Sequence, residues 1–162
     1  MTNREYYLRR SILEAPILAK VFKAVPEGKL DYRPHPRSRS AAELLSLMAY
    51  ELKTSSEAIE TGKINWNEPP PAKSVNQIVE ELNKAQEELE RRLKKLDDQT
   101  WENKKVQLLA GGQVAFEETL GEMLWTTHYD LIHHRGQLST YIRPMGGKVP
   151  SIYGPSADDM GM

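Results

Sequence analysis

Apolar residues recur three and four positions apart in four stretches of the chain, and this spacing is the period of an amphipathic α-helix. The first stretch extends from about Asn3 to Val25 and contains Pro16, whose missing backbone N–H predicts a bend or a break. We expect this helix to turn toward the core a face made of Leu8, Ile12, Ala15, Leu18, Ala19 and Phe22.

The second stretch begins with a capping box. Ser40 is placed to accept a hydrogen bond from the amide of Glu43, and the Glu43 carboxylate to reach back to the amide of Ser40. A helix is therefore predicted from Ser40 to about Thr61, where Gly62 closes it. Its predicted inward face consists of Leu44, Leu47, Met48, Glu51, Ser55, Ala58 and Ile59.

The third stretch has the clearest helical period of the chain. Ser74 and Gln77 repeat the capping pattern, and the predicted inward face consists of Val75, Ile78, Val79, Leu82, Ala85, Leu89, Leu93 and Leu96. In the following segment, VQLLAGGQVAFEE, two short apolar runs flank Gly111 and Gly112. This pattern predicts a short β-hairpin-like segment before the last helix.

A further capping box, Thr119 with Glu122, begins a fourth helix that is predicted to reach Arg143 before Pro144 stops it. The proline- and glycine-rich tail that follows is predicted to be irregular, to lie over the body as far as Tyr153, and to be looser beyond. Four amphipathic helices with little strand predict an all-α fold, an up-and-down four-helix bundle with a long crossover connection. The length of 162 residues favours a single domain over residues 1–162.

Composition excludes several classes of function. The formal net charge is −1 with 28% charged residues, so no basic surface is expected to bind nucleic acid or an anionic membrane. The absence of cysteine excludes thiolate metal ligands and disulfides, and it fits a reducing compartment. The segment LRRSIL is followed by charged residues rather than by the apolar run of an export signal, and no stretch is apolar enough to span a bilayer. We therefore expect a cytoplasmic protein.

The fourth helix is apolar at both ends of its inward stripe and polar in the middle. Leu120, Leu124, Leu131 and Leu138 define the stripe, which continues through Thr127, Asp130, His134 and Tyr141. Asp130 and His134 are four residues apart and hence neighbours on one face. Glu51 lies on the inward face of the second helix in the same way. Two carboxylates and an imidazole from facing helices are suited to a divalent metal ion.

A metal-free interpretation stands beside this one, in which the same groups form a hydrogen-bonded polar layer within the core. Gln137 is expected either to donate to a carboxylate ligand of the metal or to bind water at the helix edge. His128 and His133 fall off the stripe and are predicted to face solvent or to lie at the helix edge, and His35 is predicted to lie in a loop. Gly136, in a helix interior, predicts the close approach of a neighbouring helix or a ligand.

Two segments resemble a known family. HHRGQLSTYIRPMGGKVPSIYGPSADD is similar to the C-terminal segment of DinB-like (damage-inducible) proteins, and DYRPHPRSRSAAELL to the link into their second helix. The resemblance extends over nearly the whole chain. It implies a four-helix bundle that is frequently dimeric and that binds nickel or zinc through three histidines, with thiol-dependent transferases and isomerases among related members.

The three histidines of the family are not all present here. The last one corresponds to His134, the one four residues earlier to Asp130, and the one on the second helix to Leu47, which cannot coordinate a metal. Glu51, one turn after Leu47, is a candidate replacement. The predicted site is therefore Glu51, Asp130 and His134, with Thr127, Gln137 and Tyr141 around it, and it would favour harder ions than three imidazoles do.

Two functional hypotheses follow. In the first, the protein is a homodimeric, metal-dependent enzyme of the thiol-dependent transferase or isomerase type, which uses zinc, nickel or manganese and acts on a small molecule. In the second, it is a metal-free, non-catalytic ligand-binding or interaction module that keeps only the fold. A third class, DNA repair, lacks support because Arg33, Arg37 and Arg39 form too short a basic cluster to bind phosphates over a broad face.

Overall fold

The computed structural model describes residues 1–161, and over that range the chain forms five α-helices and one three-stranded sheet. The helices are α1 (Asn3–Lys23), α2 (Ala41–Thr61), α3 (Val75–Lys95), α4 (Asp98–Asn103) and α5 (Leu120–Ile142). The strands are β1 (Lys63–Trp66), β2 (Lys105–Ala110) and β3 (Gln113–Thr119). The four predicted helices correspond to α1, α2, α3 and α5. Met162, the last residue of the predicted domain, lies outside the described residues.

The predicted capping residues are present where α2 and α5 begin. The Ser40 hydroxyl accepts from the amide of Glu43 at 3.2 Å, and the amide of Ser40 donates to Glu43 Oε2 at 2.6 Å. Thr119 and Glu122 form the equivalent reciprocal pair at α5. Gly62 ends α2 with a φ of 69°, in the left-handed region that glycine enters without steric cost.

The first helix differs from its prediction in two ways. It is continuous across Pro16, which is exposed and lies on the solvent side of the helix. Its buried face is rotated relative to the predicted one, so that Ile12 is 41% exposed while Ser11 and Glu14 are buried. The predicted inward position of Ile12 is therefore wrong. The physical reason is that Glu14 has charged partners inside the protein, which a hydrophobic pattern cannot reveal.

The all-α prediction is incomplete, because a small mixed sheet accompanies the helices. The predicted hairpin is confirmed as β2 and β3, which pair antiparallel around Gly111 and Gly112 with φ values of 57° and 80°. Positive φ at both central residues is the requirement of a type I′ hairpin turn. The segment KINW, for which no strand was predicted, forms β1 and pairs parallel to β2. The short helix α4 was not predicted.

The long helices pack in pairs around a shared core, with α2 against α3 and α5, and α1 against the same two helices. The sheet lies beside the α2–α5 interface, since β1 contacts α2 while β2 and β3 contact α5. One side of that interface is therefore covered by strands. No helix in residues 1–161 combines the length and the apolar character needed to cross a membrane.

The C-terminal tail is tied to the body further along than the sequence predicts. The Tyr153 hydroxyl donates to Glu14 Oε2 at 2.9 Å. Beyond it, Asp158 pairs with Arg143 at 2.8 Å and Asp159 with Lys20 at 2.9 Å. The prediction of a looser segment after Tyr153 is therefore wrong as far as Asp159, because two carboxylates near the end find basic partners on the helices.

Candidate metal centre

Three potential metal ligands converge between α2 and α5. Glu51 comes from α2, while Asp130 and His134 lie one turn apart on α5. His134 Nε2 is 3.7 Å from Glu51 Oε1 and 3.4 Å from Asp130 Oδ2. One donor atom of each residue lies within 4.8 Å of the other two. The structure thus brings together all three residues that the sequence singled out as ligands.

Glu51 is the unusual member of this group. It is only 7% exposed, and neither carboxyl oxygen has a hydrogen-bond partner. Burial, and after it the neighbouring Asp130 carboxyl, raises the pKa of Glu51 from 4.5 to about 9. A carboxylate buried without partners is strongly disfavoured, so this side chain either keeps a proton or requires a cation beside it.

His134 is oriented by a hydrogen-bonded chain along α5. Its Nδ1 is 2.9 Å from Gln137 Oε1, and Gln137 Nε2 is 2.9 Å from His133 Nε2. Because an amide oxygen only accepts, Gln137 favours the tautomer with a proton on Nδ1, and in that neutral form the lone pair of Nε2 faces Glu51 and Asp130. Outer partners of this kind fix the tautomer of histidine ligands in metal sites. Gln137 therefore contacts the imidazole ligand, and the prediction that it donates to a carboxylate ligand is wrong.

The other two predicted pocket residues have different surroundings. Thr127 accepts from the Ser55 hydroxyl at 2.9 Å and donates to the carbonyl of Leu124 at 3.1 Å. It lines a cavity next to the three ligands. Tyr141 is buried, but its hydroxyl donates to the carbonyl of Arg39 at 3.2 Å, and the residue does not line that cavity.

The cavity has a volume of about 480 Å³ and opens between α2, α5 and the sheet. Glu51 and Asp130 are part of its wall, and so is Leu47. Much of the remaining wall comes from the strands, including Trp66 of β1 and Phe116 of β3. The sequence interpretation missed these two residues, although an aromatic residue in a short β-like run was the available signal.

The remaining histidines follow their predictions only in part. His133 and His35 are exposed, as predicted. His128 is buried, because its ring packs edge-on against Tyr7 and Trp125, and burial lowers its pKa. Its predicted position, facing solvent or at the helix edge, is wrong. An added Cβ at Gly136 would meet no atom within 4 Å, so the predicted close approach of a neighbouring helix is wrong, while the approach of a ligand stays a prediction.

The donor set fits a divalent cation. Separations of 3.4 and 3.7 Å between donor atoms are in the range of ligand pairs that share one ion, about 3 to 4 Å when the bonds are about 2.1 Å. Two carboxylates and one imidazole suit zinc, manganese and nickel better than they suit copper(I) or an iron–sulfur cluster. Three protein ligands also leave coordination positions open to a small molecule.

Comparison with known proteins agrees with this architecture. A model of the DinB family matches residues 2–161. The chain belongs to the DinB family. The match extends over nearly the whole chain, so the helices, the sheet and the candidate metal centre all lie inside the DinB unit.

Two solved structures of DinB-like proteins share the fold. The one from Bacillus cereus is 19% identical, covers 92% of this chain and 97% of its own, and has a TM-score of 0.71. The one from Bacillus subtilis is 18% identical, covers 88% of this chain and 94% of its own, and has a TM-score of 0.68. At this identity the likeness shows the DinB fold alone.

A more distant likeness is to a mycothiol-dependent maleylpyruvate isomerase. It is 12% identical, covers 89% of this chain and 61% of the isomerase, and has a TM-score of 0.48. A likeness at that level does not bear on activity. No curated protein matches the chain in sequence.

Proposed function

We propose that Glu51, Asp130 and His134 bind a divalent metal ion and that this DinB-family protein is a metal-dependent enzyme acting on a small molecule. The observation that carries the proposal is the environment of Glu51, which is buried with both oxygens unpartnered 3.7 Å from His134 Nε2. A bound cation would neutralise the carboxylate and replace its missing partners.

Each residue has a distinct part in this site. His134 presents Nε2 because Gln137 holds its Nδ1 proton. Glu51 gives up its proton when a cation binds, since a protonated carboxyl is a poor ligand. Asp130, which is half-buried and lines the cavity, contributes a ligand next to the space where a small molecule would enter. When bound, a divalent ion supplies Lewis-acid polarisation of that molecule.

The thiol-dependent transferase or isomerase chemistry implied by the resemblance is a narrower form of the proposal. It is supported by the open side of the donor set, which leaves room for an exogenous sulfur ligand. It differs from the broader form in requiring a thiol as cosubstrate. Turnover that depends on an added thiol would support the narrower form, and turnover without a thiol would support only the broader one.

Leu47 supports a second candidate function, a metal-free module that binds a ligand without catalysis. Leu47 stands where the resemblance places a histidine, and it is 2% exposed in the wall of the cavity. In this version Glu51 stays protonated, and Glu51, Asp130 and His134 form a polar layer within the core. The absence of any metal affinity would favour this candidate.

Calorimetric titration of tag-free, chelator-treated protein with zinc, nickel and manganese tests the proposal. We expect one ion per chain with a dissociation constant in the micromolar range or below, and loss of binding in His134→Ala. His35→Ala is the matched control, because His35 is exposed in a loop and should not affect the stoichiometry. Binding no tighter than millimolar for all three ions would overturn the proposal.

We also propose that the four long helices form an up-and-down bundle, that residues 1–162 form one domain, and that two chains associate as a homodimer. The pairwise packing of α1 and α2 against α3 and α5 supports the bundle. The homodimer rests on the family resemblance alone. Light scattering of the purified protein measures it directly.

A further inference from the structure

We propose that, in the metal-free protein, the cavity beside the candidate metal centre binds an uncharged, aromatic or similarly apolar small molecule and discriminates against anions. This inference rests on the proposed function, because it names the class of compound presented to Glu51 and Asp130. The cavity volume of about 480 Å³ is within the range of about 300–1,000 Å³ that is typical of small-molecule sites.

The apolar part of the wall is assembled from three different parts of the chain. Leu47 comes from α2, Ile64 and Trp66 from β1, and Leu108 and Phe116 from the β2–β3 hairpin. A planar apolar molecule between these side chains would bury hydrophobic surface on both of its faces. Its polar group would then point toward Glu51 and Asp130, which lie on the helical side.

The two aromatic residues of this apolar wall are partly exposed. Trp66 is 42% and Phe116 is 39% exposed, and both lie at the cavity. The pairing of β2 with β3 shifts register between Leu108 and Leu109, directly where Leu108 faces Phe116. Bulges of this kind re-aim side chains near functional sites. A bound apolar ligand would cover both rings.

The charge of the wall determines which ligands are accepted. It contains two acidic residues, Glu51 and Asp130, and no lysine or arginine among its lining residues. Apart from the exposed His133 imidazole, an anionic ligand would find no basic side chain there.

A pair of ligands with the same ring system tests the inference on metal-free protein. Binding of 2-naphthylmethanol and 2-naphthoate is measured by calorimetry or by saturation-transfer NMR. We expect the alcohol to bind at least tenfold more tightly than the carboxylate. Equal affinity, tighter binding of the carboxylate, or no binding of the alcohol up to its solubility limit would overturn the inference.

Variants locate the binding. Phe116→Ala should weaken 2-naphthylmethanol binding by about fivefold or more, which corresponds to the loss of about 1 kcal/mol of apolar contact. Val114→Ala is the matched control, since Val114 is on the same strand, is 52% exposed and does not line the cavity. Tyr129→Ala, which alters the wall from α5, should weaken binding independently of the hairpin. Unchanged affinity in both wall variants would contradict the assignment.

The two proposals fail separately. His134→Ala should abolish metal binding and leave 2-naphthylmethanol binding within about threefold, because His134 does not line the cavity. If the protein binds the metal but not the alcohol, the proposed metal centre is supported and the proposed ligand class is contradicted. If it binds the alcohol but not the metal, the ligand class is supported and the metal centre is contradicted.

Discussion

Glu51 on α2 and His134 on α5 face each other across a helix interface, with Oε1 and Nε2 3.7 Å apart, and neither carboxyl oxygen of Glu51 has a hydrogen-bond partner. This arrangement is costly in the absence of a cation, because a buried carboxylate must either ionise without compensation or remain protonated at neutral pH. The cost of Glu51 to stability and its readiness to accept a metal are therefore two consequences of one environment.

Glu51→Gln should stabilise the metal-free protein at neutral and alkaline pH. The folded protein holds the pKa of Glu51 at about 9, against an ordinary value of 4.5. The folded state therefore keeps a proton that the unfolded state loses, and this contribution to the free energy of unfolding decreases as pH rises between those values. The slope approaches about 1.4 kcal/mol per pH unit. The free energy of unfolding of Glu51→Gln should lack this decrease with pH, because glutamine does not titrate.

Urea denaturation of the wild type and Glu51→Gln at several pH values between 5 and 9, with a chelator present, measures this difference. Glu57→Gln on the same helix is a matched control, because Glu57 is only partly buried and pairs loosely with Lys53 at 3.9 Å. Parallel stability curves for the wild type and Glu51→Gln would show that Glu51 does not hold its proton.

Metal affinity should rise with pH for the same reason. A cation must displace the proton of Glu51, whose pKa is raised to about 9. The apparent association constant should therefore increase up to about tenfold per pH unit below that value. Titrations at pH 6, 7 and 8 in buffers of different ionisation enthalpy would also report the proton released. Affinity that is flat over this range, with no proton release, contradicts a ligand role for Glu51.

The sequence predicted the helices well because their ends are encoded locally. Ser40 with Glu43 and Thr119 with Glu122 form the expected caps. The spacing of Asp130 and His134 also placed the two residues on one face, since four residues are about one helical turn. These features depend on neighbours within a few positions, and a single sequence contains that information.

Features set by distant partners could not be predicted in this way. The parallel pairing of β1 with β2 places Ile64 beside Leu108, although α3 and α4 separate the two residues in sequence. The buried position of Glu14 depends on Arg135, and the buried position of His128 depends on aromatic residues of α1 and α5. Hydrophobic patterning assigns such polar residues to the surface because it does not include their partners. For the same reason, the sequence did not reveal the aromatic wall of the cavity.

Gln137→Ala should lower metal affinity without unfolding the protein. Gln137 is exposed and accepts the Nδ1 proton of His134 at 2.9 Å, so its loss frees the ring to rotate or to change tautomer. Loss of such an outer partner typically weakens metal binding by about 10–100-fold. The comparison is with Thr140→Ala, an exposed position one turn along α5. Equal affinities in the two variants would mean that Gln137 does not orient the ligand.

The buried ion pair between α1 and α5 should contribute far more to stability than a surface pair on the same helix. Arg135 Nη1 is 2.6 Å from Glu14 Oε2, and both side chains are almost fully buried. Burial alone would raise the pKa of Glu14, but hydrogen bonds from Arg135 and Tyr153 outweigh it and keep that pKa below its usual value. Arg135→Met leaves the carboxylate with only the partly exposed Arg10 and the Tyr153 hydroxyl as partners, and it should cost about 3 kcal/mol.

Arg143→Met is the matched comparison, since Arg143 pairs with Asp158 at 2.8 Å while remaining 54% exposed. Its loss should cost no more than about 1 kcal/mol. Thermal and urea denaturation of both variants decide the point. Similar destabilisation by the two substitutions would show that burial does not set the strength of the pair.

The most direct test of the metal centre is anomalous diffraction from crystals of the tag-free protein soaked in zinc or manganese. We predict one strong peak between α2 and α5, about 2.0–2.3 Å from His134 Nε2 and within bonding distance of a carboxyl oxygen of Glu51 and of Asp130. A fully soaked crystal with no peak at these three residues, or with ions only on exposed side chains such as His133, would contradict it.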